Sequence, residues 1–227
     1  MKKTINALLV DDHSSILEAY SNFLYQYEYA NAKYRINVST ANCCESAIES
    51  IKFKQRLDSS GFDLALIDMR LPKSKNERYT SGEDVCVFLK KTFPKVKTII
   101  ITGHFETLVL SGILHNVNPD AMLLKGDIDS MVMFDALTKV LNDESYYSKG
   151  VLHILRKKLS SNTILEDVDK QMLYELWKGT PTKDLVKYIP LSLGAIEKRK
   201  RKLRTTVGIK GKNDALLVDL ILRKGFR

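Results

Sequence analysis

Three cysteines, Cys43, Cys44 and Cys86, are too few and too unevenly placed for a disulfide framework, and none has CxxC or Cys/His spacing for zinc. They are expected to be reduced thiols that fill space as small apolar residues. The four histidines, His13, His104, His115 and His153, are scattered, which argues against a histidine metal centre. No apolar run approaches the roughly 20 residues that cross a bilayer. The start, Met1-Lys2-Lys3-Thr4-Ile5-Asn6, leads into a run too short for the core of a signal peptide. A cytoplasmic protein without membrane contact is therefore expected. Internal repeats and low-complexity tracts are also missing.

The 227 residues and 44% hydrophobic content leave room for one large domain or two small ones. The net charge of +9 is unevenly spread: residues 1–145 carry 17 Lys and Arg against 19 Asp and Glu, whereas residues 146–227 carry 19 against 8. Such asymmetry is the footprint of a chain in which one half handles nucleic acid and the other does not.

The acidic half alternates short apolar runs with longer amphipathic ones. Strands are predicted at Ile5–Val10, Arg35–Ser39, Phe62–Asp68, Thr98–Thr102 and Ala121–Leu124. Helices are predicted at Ser14–Tyr27, Cys44–Leu57, Gly82–Thr92, Phe105–His115 and Ser130–Leu141. Five strands alternating with five helices predict a parallel, doubly wound α/β sheet covered on both faces. The stretch Gly61-Phe62-Asp63-Leu64-Ala65-Leu66-Ile67-Asp68-Met69-Arg70-Leu71-Pro72 stands at its centre, with a turn glycine, a strand-length apolar run, and a carboxylate where the run stops. The connection Met69–Ser81, long and polar, is expected to be exposed and mobile. Residues 143–163 read as a linker with a short basic helix, Val151–Leu159, and a flexible joint at Ser160-Ser161-Asn162-Thr163.

Four strand ends carry Asp11 and Asp12, Asp68, Thr102, and Lys125. In a doubly wound sheet these ends share one edge, where such folds bind ligands. Taken singly, an Asp or Thr after a strand is commonly a helix N-cap, and a Lys there is commonly solvated. Together they form a coherent set. Three carboxylates suit Mg²⁺, one of them can attack phosphorus, and an ammonium and a hydroxyl can hold the phosphoryl oxygens. His13 reads as a surface residue.

Leu8-Leu9-Val10-Asp11-Asp12, Leu66-Ile67-Asp68-Met69-Arg70-Leu71-Pro72, Ile99-Ile100-Ile101-Thr102-Gly103 and Leu123-Leu124-Lys125 resemble the receiver domain of two-component response regulators, over about residues 4–142. The resemblance implies a flavodoxin-like receiver at residues 1–142, with Asp68 as phosphoacceptor and Asp11, Asp12 and Asp68 as the Mg²⁺ set. It also implies Thr102 as switch hydroxyl and Lys125 as phosphate partner. Three features depart from the pattern. Met122 stands where receivers usually carry an aromatic switch residue, Gly82 arrives late after Pro72, and Tyr25–Tyr34 is lengthened.

The basic half reads as short helices. Asp169–Lys178 is closed by Gly179 as C-cap. Lys183–Ile189 follows, and Pro190-Leu191-Ser192 turns the chain with Ser192 as an N-cap. A third helix has Leu193, Ile196, Leu203 and Val207 as its buried stripe and Lys198, Arg199, Lys200, Arg201, Lys202 and Arg204 on the remaining surface. As the second helix of a helix-turn-helix, it would enter the major groove, with Lys198 and Arg199 as candidates for base contact. Asn213–Lys224, closed by Gly225, brings Leu216, Leu217, Leu220 and Ile221 together, as core packing. Trp177-Lys178-Gly179, Lys183-Asp184-Leu185-Val186, Ser192, Ala195-Ile196 and Val207-Gly208-Ile209 resemble the LuxR/NarL-type DNA-binding domain, over about residues 163–227. The resemblance implies a dimer contact at Leu216, Leu217, Leu220 and Ile221 as the alternative to core packing, while Glu197 and Arg199 depart from that family's usual residues.

The two resemblances imply a DNA-binding response regulator rather than an enzyme: a receiver, a linker and a head at residues 164–227. A sensor histidine kinase and double-stranded DNA would be its partners, with a homodimer as the active form. A regulator switched by a protein partner without phosphate is the nearest alternative. A Mg²⁺-dependent aspartyl phosphatase is disfavoured, because Arg70 stands where such enzymes carry a second Asp.

Overall fold

The computed structural model describes residues 2–57, 61–75, 78–103, 107–159, 165–207, 209, 211 and 213–224. Phe105, Ser160 to Thr163, Gly208 and Gly225, to which the sequence assigns a helix start, a joint, part of a motif and a cap, lie outside them, as does the side chain of Val207. The chain divides into two compact units, Met1–Gly103 with Ile113–Leu152, and His104–Gly112 with His153–Arg227.

Up to residue 147, the elements run β1 (Lys3–Val10), α1 (Ser14–Ala30), β2 (Tyr34–Ala41), α2 (Cys44–Leu57), β3 (Leu64–Asp68), α3 (Gly82–Thr92), β4 (Lys97–Thr102), α4 (Thr107–Val117), β5 (Ala121–Leu124), a 3₁₀ turn (Lys125–Asp127), α5 (Ser130–Leu141) and β6 (Tyr146–Tyr147), all in the first unit except α4, which the division splits at Gly112. The sheet is parallel, in the order β2-β1-β3-β4-β5-β6. It has six strands where the sequence predicts five. Tyr146 and Tyr147 pair with Ala121 and Met122 from within the stretch read as linker. Asp143 adopts a left-handed conformation, φ 64°, just before them, and so redirects the chain after α5. A strand of two residues is too short to leave an alternating pattern in sequence.

All five residues of β3 are buried, as expected of a central parallel strand covered on both faces. Helices α1 and α5 turn Leu17, Tyr20, Leu24 and Tyr27, and Met133, Ala136, Leu137 and Val140, into the core at helical spacing. Gly61 has φ +71°, and a Cβ there would lie 2.4 Å from the Phe93 ring, so glycine is required on both counts. Cys44 and Cys86 are free and fully buried, and burial pushes both thiols up to about 12, consistent with inert packing.

The loop after β3 is less exposed than expected. Met69, Leu71 and Ser74 are buried. The Ser74 N–H donates to the Tyr79 carbonyl at 2.8 Å, and the Tyr79 N–H donates to Ser74 Oγ at 3.0 Å. Tyr79 meets Phe88 of α3 edge-on. Two apolar side chains and one aromatic anchor fold the polar loop back.

The second unit holds α7 (Asp167–Trp177), a 3₁₀ helix (Thr182–Lys187), α8 (Leu193–Val207) and α9 (Asp214–Lys224), while α6 (Lys149–Leu159) runs into it from the first. Gly179, φ +87°, ends α7. Its N–H donates to the Leu176 carbonyl and that of Thr180 to the Glu175 carbonyl, the paired bonds of a Schellman cap. The predicted helix Lys183–Ile189 is 3₁₀ rather than α, since Pro181 and Pro190 leave too short a span for a stable α-helix. The Ala195 N–H donates to Ser192 Oγ at 3.3 Å, the expected N-cap of α8. The core joins Leu165, Met172, Leu173, Leu185, Ile189, Ile196, Leu203, Leu217, Val218 and Ile221. Leu193, expected in the stripe, is exposed.

Candidate functional site

The sheet register assembles the polar edge. Val10 stands opposite Ile67, Asp68 opposite Ile101, and Thr102 opposite Leu124. The next residues along β1 and β5 are Asp11 and Lys125. Lys125 Nζ lies 2.9 Å from Asp11 Oδ2 and 3.0 Å from Asp68 Oδ2, so one ammonium bridges carboxylates from two other strands. Asp11 is fully buried and Asp68 nearly so, while Lys125 remains about one-third exposed. Gly82 makes this possible on the α3 side: its N–H donates to the Met69 carbonyl, and a Cβ would fall 1.9 Å from the Asp68 carbonyl oxygen. A glycine at the start of α3 lets that helix close on the strand end.

Burial pushes the Asp68 carboxyl above its ordinary range, against the pull of Lys125, and the neighbouring Asp11 charge adds to the rise. Burial alone would lower Lys125, but its hydrogen bonds to Asp11 and Asp68 outweigh this and leave it raised. One lysine thus stands between two acids from neighbouring strand ends. Tyr20 is buried nearby; burial chiefly, then Asp11 and Asp68, hold its phenol in the neutral form.

Asp11, Asp12 and His13 each bring a ligand atom within 4.8 Å of the others, a group able to hold a metal ion. His13 is largely exposed, as expected, yet its Nδ1 lies 2.7 Å from Asp12 Oδ1 and 3.3 Å from Asp11 Oδ1. It therefore touches the acid pair, which sequence proximity hinted at. Thr102 and Met122 are both fully buried. Met122 is part of the sheet interior, between Ile100 and Tyr147 in register.

In the head, the six cations predicted to face outward separate into two groups. Lys198, Arg201 and Lys202 are exposed. Lys200 is only 2% exposed and Arg204 is buried. Lys200 Nζ lies 2.7 Å from Asp214 Oδ2 and 2.5 Å from Thr182 Oγ1, and Arg204 pairs with Asp214 Oδ1. Their assignment to an outward surface is corrected, and helical geometry explains why. Lys200 lies four residues after Ile196 and three before Leu203, so it belongs to the inward stripe, where Asp214 of α9 meets it. That spacing was visible in the sequence, but its acidic partner was not. Arg199, a candidate for base contact, is held by Glu166 at 2.7 Å and Asp169 at 3.0 Å. Of the α9 residues offered for dimer contact, Leu217 and Ile221 lie in the head's own core, while Leu216 is exposed and Leu220 half-buried.

No protein-family model and no curated protein matches the chain. Solved structures do. RcsB from Salmonella enterica serovar Typhimurium, bound to promoter rprA in the presence of phosphomimetic BeF₃⁻, aligns over 96% of this chain and 98% of its own at 19% identity and a TM-score of 0.61. The chain has the RcsB fold. A structure of two RcsB dimers bound to two parallel DNAs aligns over 99% of this chain and 100% of its own, at 18% identity and a TM-score of 0.62. The isolated RcsB receiver domain with BeF₃⁻ covers 67% of this chain and 99% of its own, at 18% identity and a TM-score of 0.55. The two-part α/β and helical architecture is therefore shared with RcsB from end to end. Among the described residues, no helix is long and apolar enough to cross a membrane.

Proposed function

We propose that the chain is a DNA-binding response regulator that accepts a phosphoryl group on Asp68 from a histidine kinase and controls transcription. In this reading, residues 1–142 act as receiver, 143–163 as linker and 164–227 as DNA-binding head. The observation that carries it is Lys125 bridging buried Asp11 and Asp68 at the carboxyl edge of a parallel sheet. In the transfer, an Asp68 carboxylate oxygen bonds to phosphorus as the P–N bond to the kinase imidazole breaks. Lys125, already at bonding distance from Asp68, opposes the new oxyanion charge, and Thr102 offers a hydroxyl from the neighbouring strand end.

The hard oxygens of buried Asp11 and Asp68 and of exposed Asp12, with one ammonium against the buried pair, fit Mg²⁺. When bound, the ion supplies charge neutralisation for phosphoryl oxygens. Asp11, Asp12 and Asp68 would hold it, and Asp68 would also supply the attacking oxygen.

Lys198, Arg201 and Lys202, exposed along α8, are the residues we assign to duplex phosphates and base edges. The RcsB structures on DNA support a duplex as the partner class and a homodimer as the bound form. The decisive experiment is Mg²⁺-dependent labelling with a small phosphodonor. Wild type is expected to take the label and Asp68→Ala to take none; equal labelling would overturn the phosphoacceptor assignment. Met122, buried where receivers carry an aromatic, favours a second reading in which a protein partner switches the receiver without phosphate. Normal promoter control by Asp68→Ala would select it.

A further inference from the structure

The turn that presents Lys125 is fastened a second time, two residues later. Lys125–Asp127 form a 3₁₀ turn, with the ammonium at one end bound to Asp11 and Asp68. At the other end, Asp127 Oδ2 accepts from the Ser148 hydroxyl at 2.5 Å and from the Gly150 N–H at 2.8 Å. Ser148 Oγ in turn accepts the Leu124 N–H at 3.2 Å, and the Ser148 N–H donates to the Met122 carbonyl at 3.1 Å.

Gly150 is the second residue of α6. Its N–H belongs to the first turn, where no intrahelical acceptor exists, so Asp127 caps α6 from outside the helix. The junction is tight: a Cβ on Gly150 would lie 2.5 Å from Leu124 Cδ1 and 2.8 Å from Asp127 Oδ2. By contrast, a Cβ on Gly126, between the two fastenings, would meet nothing within 4 Å. A side chain would thus fit at Gly126 but not at Gly150, where the junction is closed.

We propose that Asp127 is the positioning residue through which the state of the Asp68–Lys125 pair reaches the start of α6. The proposal rests on the phosphoacceptor reading of Asp68 for its physiological trigger. A phosphoryl group on Asp68 offers Lys125 three new acceptor oxygens, and the ammonium re-aims towards them. The three-residue turn carries part of that movement from the ammonium at one end to Asp127 at the other. Asp127 then loosens its hold on Ser148 and Gly150, and the first turn of α6 frays. The aromatic that Met122 replaces is not needed for this route; Met122 contributes its backbone carbonyl to the same junction. The bland account is that Asp127 only caps a helix, and the test must separate the two.

Hydrogen exchange on the full chain does so, with amides of β1 and β3 as the internal control of folding. Asp127→Ala is expected to speed exchange of the Gly150–Leu152 amides about tenfold, the scale of a lost N-cap. Lys125→Gln, which alters the bonds to Asp11 and Asp68, is expected to speed the same amides roughly threefold, and to add nothing in the Asp127→Ala background. A cap without coupling responds to Asp127→Ala and ignores Lys125→Gln, and that result overturns the proposal. In a phosphodonor arm with Mg²⁺, labelled wild type is expected to exchange faster at these amides, while labelled Asp127→Ala shows no further change. An equal change in both overturns the proposal. Absence of label on wild type sinks the phosphoacceptor reading instead, and the Lys125→Gln arm still decides the coupling.

Discussion

The two units each bury a charge cluster, and the clusters are mirror images. At the sheet edge, Asp11 and Asp68 share one ammonium, Lys125. In the head, Lys200 and Arg204 share one carboxylate, Asp214, with Thr182 beside Lys200. The first has acid in excess at the end of a sheet, where a ligand can approach, and burial lifts Asp68 out of its ordinary range. The second ties α8 to α9 and to the 3₁₀ helix. Burial would raise Asp214, but Lys200, Arg204 and Thr182 outweigh it and hold its carboxyl below the usual range. A buried acid that its surroundings leave strained is a candidate for chemistry, and one that they stabilise is a structural pin.

The sharpest way to break this contrast is Asp214→Ala. It strands Lys200 and Arg204 without their shared carboxylate, and should cost the head about 3 kcal/mol, at the lower end for a broken buried pair. Urea unfolding of the full chain, read at Trp177, measures it; an unchanged midpoint would mean that the cluster is not a pin. Next, neutralising Lys198, Arg201 and Lys202 should flatten the salt dependence of duplex binding by roughly 0.9 per lost phosphate contact. Lys200→Met should leave the slope as in wild type. Equal slopes for both variants would erase the division of α8 into buried and exposed cations.

A smaller effect, of opposite sign, is expected at the sheet edge. Asp68→Asn should stabilise the chain at neutral pH by about 1 kcal/mol, the usual gain from relieving a functional site. The pH dependence sharpens the comparison, because the two acids are shifted in opposite directions. The folded state holds the Asp68 proton more tightly than the unfolded one. Its unfavourable contribution is therefore absent below the ordinary Asp range and develops as pH rises through the folded value. Asp214 is the reverse: its contribution is present above the ordinary range and disappears as pH falls through its depressed folded value. The gain from Asp68→Asn should thus shrink in acid, and so should the loss from Asp214→Asn. Thermal melts of both variants and wild type between neutral and acid pH check this, and a gain for Asp68→Asn that grows in acid contradicts it. The smallest change is expected for Glu166→Gln, whose pair with Arg199 is exposed: melting should stay within error, since such pairs contribute little.

Much of the fold was legible because its signals are local. Apolar runs of strand length, helical spacing in α1 and α5, Gly179 and Ser192 each declare a structure within a few residues. The edge set was legible for a second reason: parallel strands place their carboxyl ends together, so Asp11, Asp68, Thr102 and Lys125 could be gathered without coordinates. The misreadings arose where partners are distant. Lys200 looked like one more exposed cation in a basic run, although its spacing from Ile196 and Leu203 already put it inside. Nothing local showed that Asp214 would meet it. β6 was missed because two residues carry no periodicity, and Asp127 because its partners lie more than 20 positions away.

By itself, then, the sequence determined the alternation of elements, the sheet edge on which the polar residues gather, and the division into an acidic and a basic half. Those follow from residue periodicity and from the geometry of parallel strands, which any chain of this pattern obeys. Only the tertiary structure decided which charges are neutralised within the fold and which face outward. Charge pairing depends on distances between residues far apart in sequence, and burial multiplies its strength, so the roles of Lys125, Asp127, Lys200 and Asp214 emerge only once the chain has closed on itself.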